Sequence, residues 1–270
     1  MLIRTTCIAL LSTLFIACST APMPLAPITT ATPSALAVQQ FAPTGKLRAA
    51  INFGNPILAN QSASGQATGV SVDLATELAR RLGLPLELVT FNAAGKVVDA
   101  VKAGQIDIAF VAIDPVRGVD MDYSKAYVVI EGAYMVRNDS PIRSNADVDK
   151  TGTRVVVGLG SAYDLFLTRE IKQASLVRAP TSGAVTDVFM AQKLDVAAGV
   201  KQQMQMDAQR VPGLRLLDGR FMVINQAMGM PKGRDDAVAY LRTYVEDLKT
   251  SGFVAKALAR HKIEGAAVAP

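Results

Sequence analysis

Apolar positions between residues 47 and 111 switch repeatedly between the period of a strand and that of a helix. Residues 47–53 are a short apolar run, followed by a stretch at 72–82. There Leu74, Ala75, Leu78, Ala79 and Leu82 fall on one helical face, opposite Glu77, Arg80 and Arg81. Asp73 suits the start of that helix and Gly83 its stop. Residues 84–91 then predict a strand, 96–103 a helix ended by Gly104, and 106–111 a third strand. The order βαβαβ implies a parallel sheet covered by helices.

A second set opens with a strand at 154–159, turns through Gly158-Leu159-Gly160 and continues as a helix at 162–172. Strand-like 176–178, helical 186–192 and strand-like 194–198 complete it. Beyond a strand at 222–230, Val238, Leu241, Val245 and Leu248 form a helical stripe, and 253–260 is a final helix. The expected fold is therefore α/β with two lobes.

The N-terminus has a different pattern. Arg4 is followed by an apolar stretch at 8–17 and then Cys18, preceded by Phe15-Ile16-Ala17. This resembles a lipoprotein signal over residues 1–18 with Cys18 as the lipidated residue; the alternative is an ordinary secretory peptide cut near Ala21. Either places the protein in the periplasm or cell envelope, and lipidation would confine membrane contact to the anchor. Residues 19–44 are rich in Ala, Pro and Thr and nearly uncharged, which predicts a tether.

Composition narrows the chemistry. The chain is 50% hydrophobic and 19% charged, too apolar for disorder. Beyond the leader no apolar run reaches the roughly 18 residues that span a bilayer. One histidine, His261, and two cysteines, Cys7 and Cys18, supply no nitrogen and sulfur ligand set, so neither metal nor cofactor is expected. Met204 and Met206 stand two apart on a predicted helix and face different ways. A net charge of +5 without a basic run interleaved with aromatics gives no reason to expect nucleic acid as a partner.

Several short motifs recur in order along residues 45–263. They are Gly45-Lys46-Leu47-Arg48, Gly69-Val70-Ser71-Val72-Asp73-Leu74, Lys102-Ala103-Gly104-Gln105-Ile106-Asp107 and Asp114-Pro115-Val116-Arg117 with Met121-Asp122-Tyr123-Ser124. Gly158-Leu159-Gly160-Ser161 and Leu248-Lys249-Thr250-Ser251-Gly252-Phe253 complete the series. In this order the chain resembles the extracytoplasmic solute-binding proteins that serve polar amino-acid ABC importers, family 3. The resemblance implies a two-lobed periplasmic-binding-protein-like fold of type II, with two crossing strands and a cleft ligand. Lobe one would be 45–133 with 226–264, and lobe two 134–225. The implied function is capture of a small carboxylate-bearing solute, an amino acid or related organic acid, by a monomer that delivers it to ABC permease subunits.

By the same resemblance Arg117 takes the ligand carboxylate with its planar fork; otherwise it is a surface arginine paired with Asp120 or Asp122. Gly160-Ser161-Ala162 opens a helix whose N-H groups and dipole favour an anion, so Ser161 and Ala162 are candidate contacts. Ser161 also suits the role of helix cap.

Four departures from the family pattern bear on the ligand. Phe110 and Ala112 stand where hydroxyl residues are usual, Asp114 replaces threonine, Ala94 falls where an aromatic platform is common, and Val200 and Lys201 occupy the place of the ammonium-binding aspartate. Asp114 and Glu131 are the nearest alternative acids, while Phe53, Phe91 and Phe110 are candidate apolar cleft surface. The rival readings are a periplasmic enzyme resembling cyclohexadienyl dehydratase, needing a carboxyl general acid, and a stand-alone ligand sensor.

Overall fold

The computed structural model describes residues 32–270. β1 (Leu47–Asn52) pairs in parallel with β4 (Leu86–Phe91) and β5 (Ile108–Ala112); α2 (Val70–Leu82) and α3 (Ala94–Lys102) make the crossovers. Two short strands, β2 (Asn60–Gln61) and β3 (Ala67–Thr68), form a hairpin in the first connection. The second parallel unit is β7 (Arg154–Gly158), α4 (Ala162–Glu170), β8 (Ser175–Ala179), α5 (Val185–Ala191) and β9 (Val196–Val200). α6 (Lys201–Arg210) and β10 (Leu214–Leu216) follow, then α7 (Asp235–Thr250), α8 (Phe253–Arg260) and β12 (Ala267–Val268).

β6 (Met121–Arg137) and β11 (Met222–Pro231) join the two halves, and the strand order is β4-β1-β5-β11-β6-β9-β7-β8. β6 is 17 residues long because it serves two cores in succession. Tyr127, Val128 and Ile130 belong to one apolar cluster, Tyr134 and Val136 to another. At the changeover Gly132 pairs with Met222 on one side and Val200 on the other. A Cβ there would stand 2.8 Å from the side chains of both Met222 and Phe221, which would have to shift, so the crossing favours glycine.

In the first lobe, Asp107 is fully buried and charge-compensated. It accepts from Arg48 Nε and Nη2 at 2.8 Å each and from Arg234 Nη1 at 3.0 Å, tying β1 to the chain entering α7. Without both guanidinium groups a buried carboxylate would cost several kcal/mol.

The expected tether does not extend to residue 44. α1 (Ala35–Phe41), capped by Ser34 Oγ accepting from the Ala37 amide at 3.0 Å, lies within it. Phe41 is wholly buried with its ring edge-on to Tyr240 at 6.0 Å, and Gln40 accepts from the Ala237 amide at 2.9 Å. One aromatic contact and one hydrogen bond suffice on a seven-residue helix because α7 supplies the partner for each. The leader and Cys18 lie outside the described residues. No helix among the described residues is long and apolar enough to cross a membrane.

Candidate functional site

The C-terminal ends of parallel strands in both lobes converge on one cleft, the usual ligand position in open α/β sheets. After β5, Asp114 folds the chain into a turn: its Oδ1 accepts from the Val116 amide at 2.8 Å and its carbonyl from the Gly118 amide at 2.9 Å. That turn brings Arg117 back beneath the strand end. Its side chain is buried, with Nη1 donating to Ala112 O at 3.0 Å and Nη2 to Gly160 O at 2.8 Å. Nε has no partner. No ion pair to Arg117 occurs among the described residues, and neither Asp120 nor Asp122 takes it; Asp120 pairs with Lys102. Burial accordingly pushes its pKa below the usual range. The neighbouring Tyr123 hydroxyl is also buried and unpartnered, and burial raises its pKa to about 12.

From the opposite lobe, Gly160 turns at φ +68° and its amide donates to Asp164 at 2.9 Å. Ser161 caps α4, its Oγ accepting from the Asp164 amide at 3.0 Å. The cap role expected for Ser161 is therefore filled, and the residue still lines the cleft cavity beside Ala162 and Tyr163.

This cavity, about 30 Å³, sits where the two strands cross. Arg117, Ala112, Ser161 and Ala162 line it together with Ala94 and Val200. Asn52, Asn55, Ser182 and Gln226 complete its polar lining. An adjoining space of about 60 Å³ is bounded by Phe53, Pro56, Gly199 and Met204 and shares Gly54, Tyr163, Ser182 and Val200 with the first. A volume near that of one water does not admit an amino acid, so ligand entry requires the lobes to part. Two larger grooves of about 660 and 620 Å³ lie outside this cavity, one beside Asp139 and the other between Asn60 and Gln205, the latter sharing Pro56 with the adjoining space.

Four candidates sit differently from expectation. Phe110 is packed in the first lobe's core, edge-on to Tyr127 at 6.2 Å, so it offers no cleft surface. Asp114 Oδ2 pairs with Arg169 Nη2 at 3.0 Å across the cleft. Glu131 is shared between Lys201 at 2.9 Å and Arg220 at 2.7 Å. Those cations, Arg220 first, hold the Glu131 carboxyl below its usual range. Lys201, at the place of the ammonium-binding aspartate, is thus paired with Glu131 and does not line the central cavity. Among the polar residues missed in the sequence, Asn52 closes the apolar run of β1 and Gln226 is buried within β11, and a polar residue at these places was the available signal.

His261 lies by Asp73, its Nε2 2.8 Å from Oδ2. Met204 is buried and Met206 exposed, as their spacing implied.

Two α/β lobes, linked by long antiparallel strands and enclosing a buried cation at the crossing, define a two-lobed solute-binding fold. The profile of the bacterial extracellular solute-binding proteins, family 3, matches residues 47–262, and the chain belongs to this family. No curated protein sequence matches it. Among solved structures it resembles the solute receptor for L-cysteine of Neisseria gonorrhoeae, with TM-score 0.73 and 20% identity over 84% of this chain and 95% of that one. A histidine kinase sensor domain with similarity to periplasmic binding proteins gives 0.72 and 17%, covering 83% and 98%. An ancestral amino-acid-binding protein, a precursor of cyclohexadienyl dehydratase, gives 0.71 and 20%, covering 84% and 99%.

Proposed function

We propose that this chain is the substrate-binding component of an ABC importer and captures a small carboxylate-bearing solute between its lobes. The observation that carries this reading is Arg117: a buried guanidinium with a free Nε and no carboxylate partner, positioned where the two lobes meet. A carboxylate arriving there would gain charge-assisted hydrogen bonds and relieve an unpaired buried charge. In this reading lobe one comprises 45–133 with 226–264 and lobe two 134–225, Cys18 carries a lipid anchor, and a monomer docks on permease subunits.

A dehydratase requires a protonated carboxyl poised beside the leaving group. Glu131 is held ionised by Arg220 and Lys201, and Asp114 is engaged by Arg169, which favours binding over catalysis. A sensor domain would use the same clamp, and no feature of the cleft favours it over transport.

The test is mass spectrometry of small molecules that co-purify with the mature domain, followed by calorimetry with the candidate. Arg117→Ala should weaken carboxylate binding by roughly 2–5 kcal/mol. Affinity retained within a factor of two would remove Arg117 from the site.

A further inference from the structure

The charge inventory of the cleft says more about the ligand than its family does. Among the described residues lining the central cavity and its extension, Arg117 is the one charged side chain; the others are neutral. The three acids nearest by sequence or space are committed elsewhere. Asp114 is held by Arg169 and by the Val116 amide. Glu131 is held by Lys201 and Arg220. Asp164 accepts from the Gly160 amide at 2.9 Å and pairs with Arg178 at 3.0 Å. A zwitterion placed here would satisfy its carboxylate and leave its ammonium buried near a guanidinium without a counter-charge, a cost of several kcal/mol.

Two polar atoms of the lining are buried without partners, Arg117 Nε and Asn55 Oδ1. The first donates and carries charge; the second is a neutral acceptor. The Asn52 amide oxygen is already used, accepting from the Gly54 amide at 2.9 Å. A neutral acceptor is matched by a hydroxyl, which brings a donor without bringing a charge. The extension beyond Val200, about 60 Å³, is walled mainly by Phe53, Pro56 and Met204, with Ser182 and Gln203 as uncharged polar members.

From this juxtaposition we infer that the cleft selects small hydroxy acids with a short apolar side chain: carboxylate on Arg117, hydroxyl on Asn55, side chain toward Phe53 and Met204. The inference rests on the capture reading above and narrows it to a ligand class whose second polar group is uncharged.

The experiment is a matched-pair screen of the mature domain by thermal shift and calorimetry. The pairs are 2-hydroxy-4-methylpentanoate against leucine and lactate against alanine, with 4-methylpentanoate as the analogue lacking the hydroxyl. The hydroxy acid of a pair should bind at least tenfold more tightly than its amino acid, since an unmatched buried ammonium costs well over the 1.4 kcal/mol that tenfold represents. Asn55→Ala should lower affinity for the hydroxy acid about tenfold and leave 4-methylpentanoate nearly unchanged. Val200→Asp, which places a carboxylate in the lining, should reverse the preference toward the amino acid; Asn55→Ala supplies the test if that variant fails to fold. Amino acids binding as tightly as their hydroxy partners, with binding still abolished by Arg117→Ala, would overturn the ligand class and leave carboxylate capture standing. Binding by neither series would overturn both.

Discussion

The carboxylate of Asp114 and the guanidinium of Arg169 meet at 3.0 Å across the cleft, one on the turn after β5 and the other on α4. Asp114 is buried while 37% of the Arg169 side chain remains exposed. A pair that forms only when the lobes touch acts on the opening equilibrium and leaves the fold of each lobe alone. Partial exposure limits its worth to about 1 kcal/mol. Arg169→Ala should therefore raise the open-to-closed ratio about fivefold and increase the radius of gyration in small-angle scattering. Scattering of the unaltered protein in high salt should move the same way, because an exposed guanidinium is screened. Unchanged profiles in both would show that the pair does not hold the lobes.

Gly160 is the second contact across the cleft. Its φ of +68° disfavours a side chain, and a Cβ there would stand 3.0 Å from Gly95 Cα. Gly160→Ala should lower stability by about 1–2 kcal/mol from backbone conformation and also keep the lobes apart. Gly95→Ala, whose Cβ would lie 3.5 Å from Gly160 Cα, should do neither to the same degree. Equal scattering and equal melting temperatures for the two variants would contradict this.

Arg117→Met separates binding from stability. Removing a buried unpaired cation is favourable, while the carbonyls of Ala112 and Gly160 lose donors. These effects oppose one another, so the unliganded variant should unfold within about 1 kcal/mol of the parent in urea, while carboxylate-induced stabilisation vanishes. A loss above about 3 kcal/mol would make the arginine chiefly structural.

Acid sensitivity should centre on Glu77. Arg80 and Arg81 hold its carboxyl down from 4.5 to about 2. A lowered folded-state value means stability present above the unfolded pKa and lost as pH falls from 4.5 toward 2. Glu77→Gln should flatten the fall in unfolding free energy over that window by on the order of 1 kcal/mol after solvent screening, and change little at lower pH. An identical slope in the variant would refute the assignment.

The repeating elements were legible because their periodicity is strong. α2 was expected at 72–82 and spans Val70–Leu82; α8 was expected and found at 253–260. β6 was not legible from period alone: its apolar residues serve two cores in turn, so no single alternation runs its length. α1 was hidden by its Ala-rich composition, since its partner Tyr240 lies about two hundred positions away in the chain. At the site, Arg117 could be named only through the family resemblance, and Ser161 through that resemblance and its place at the start of a helix. The ion pairs that occupy Asp114, Glu131 and Lys201 join distant segments and could not be read from spacing.

β11 lies between β5 and β6 in the sheet, although nearly ninety residues separate it from β6 along the chain. A chain growing from its N-terminus therefore makes β5 long before the strand that covers it, and until Met222–Pro231 arrives that edge carries bare backbone donors and acceptors. The second parallel unit, β7 to β9, has all its members close together and needs no such wait. The half bearing Arg117 is thus complete only once this late strand is in place.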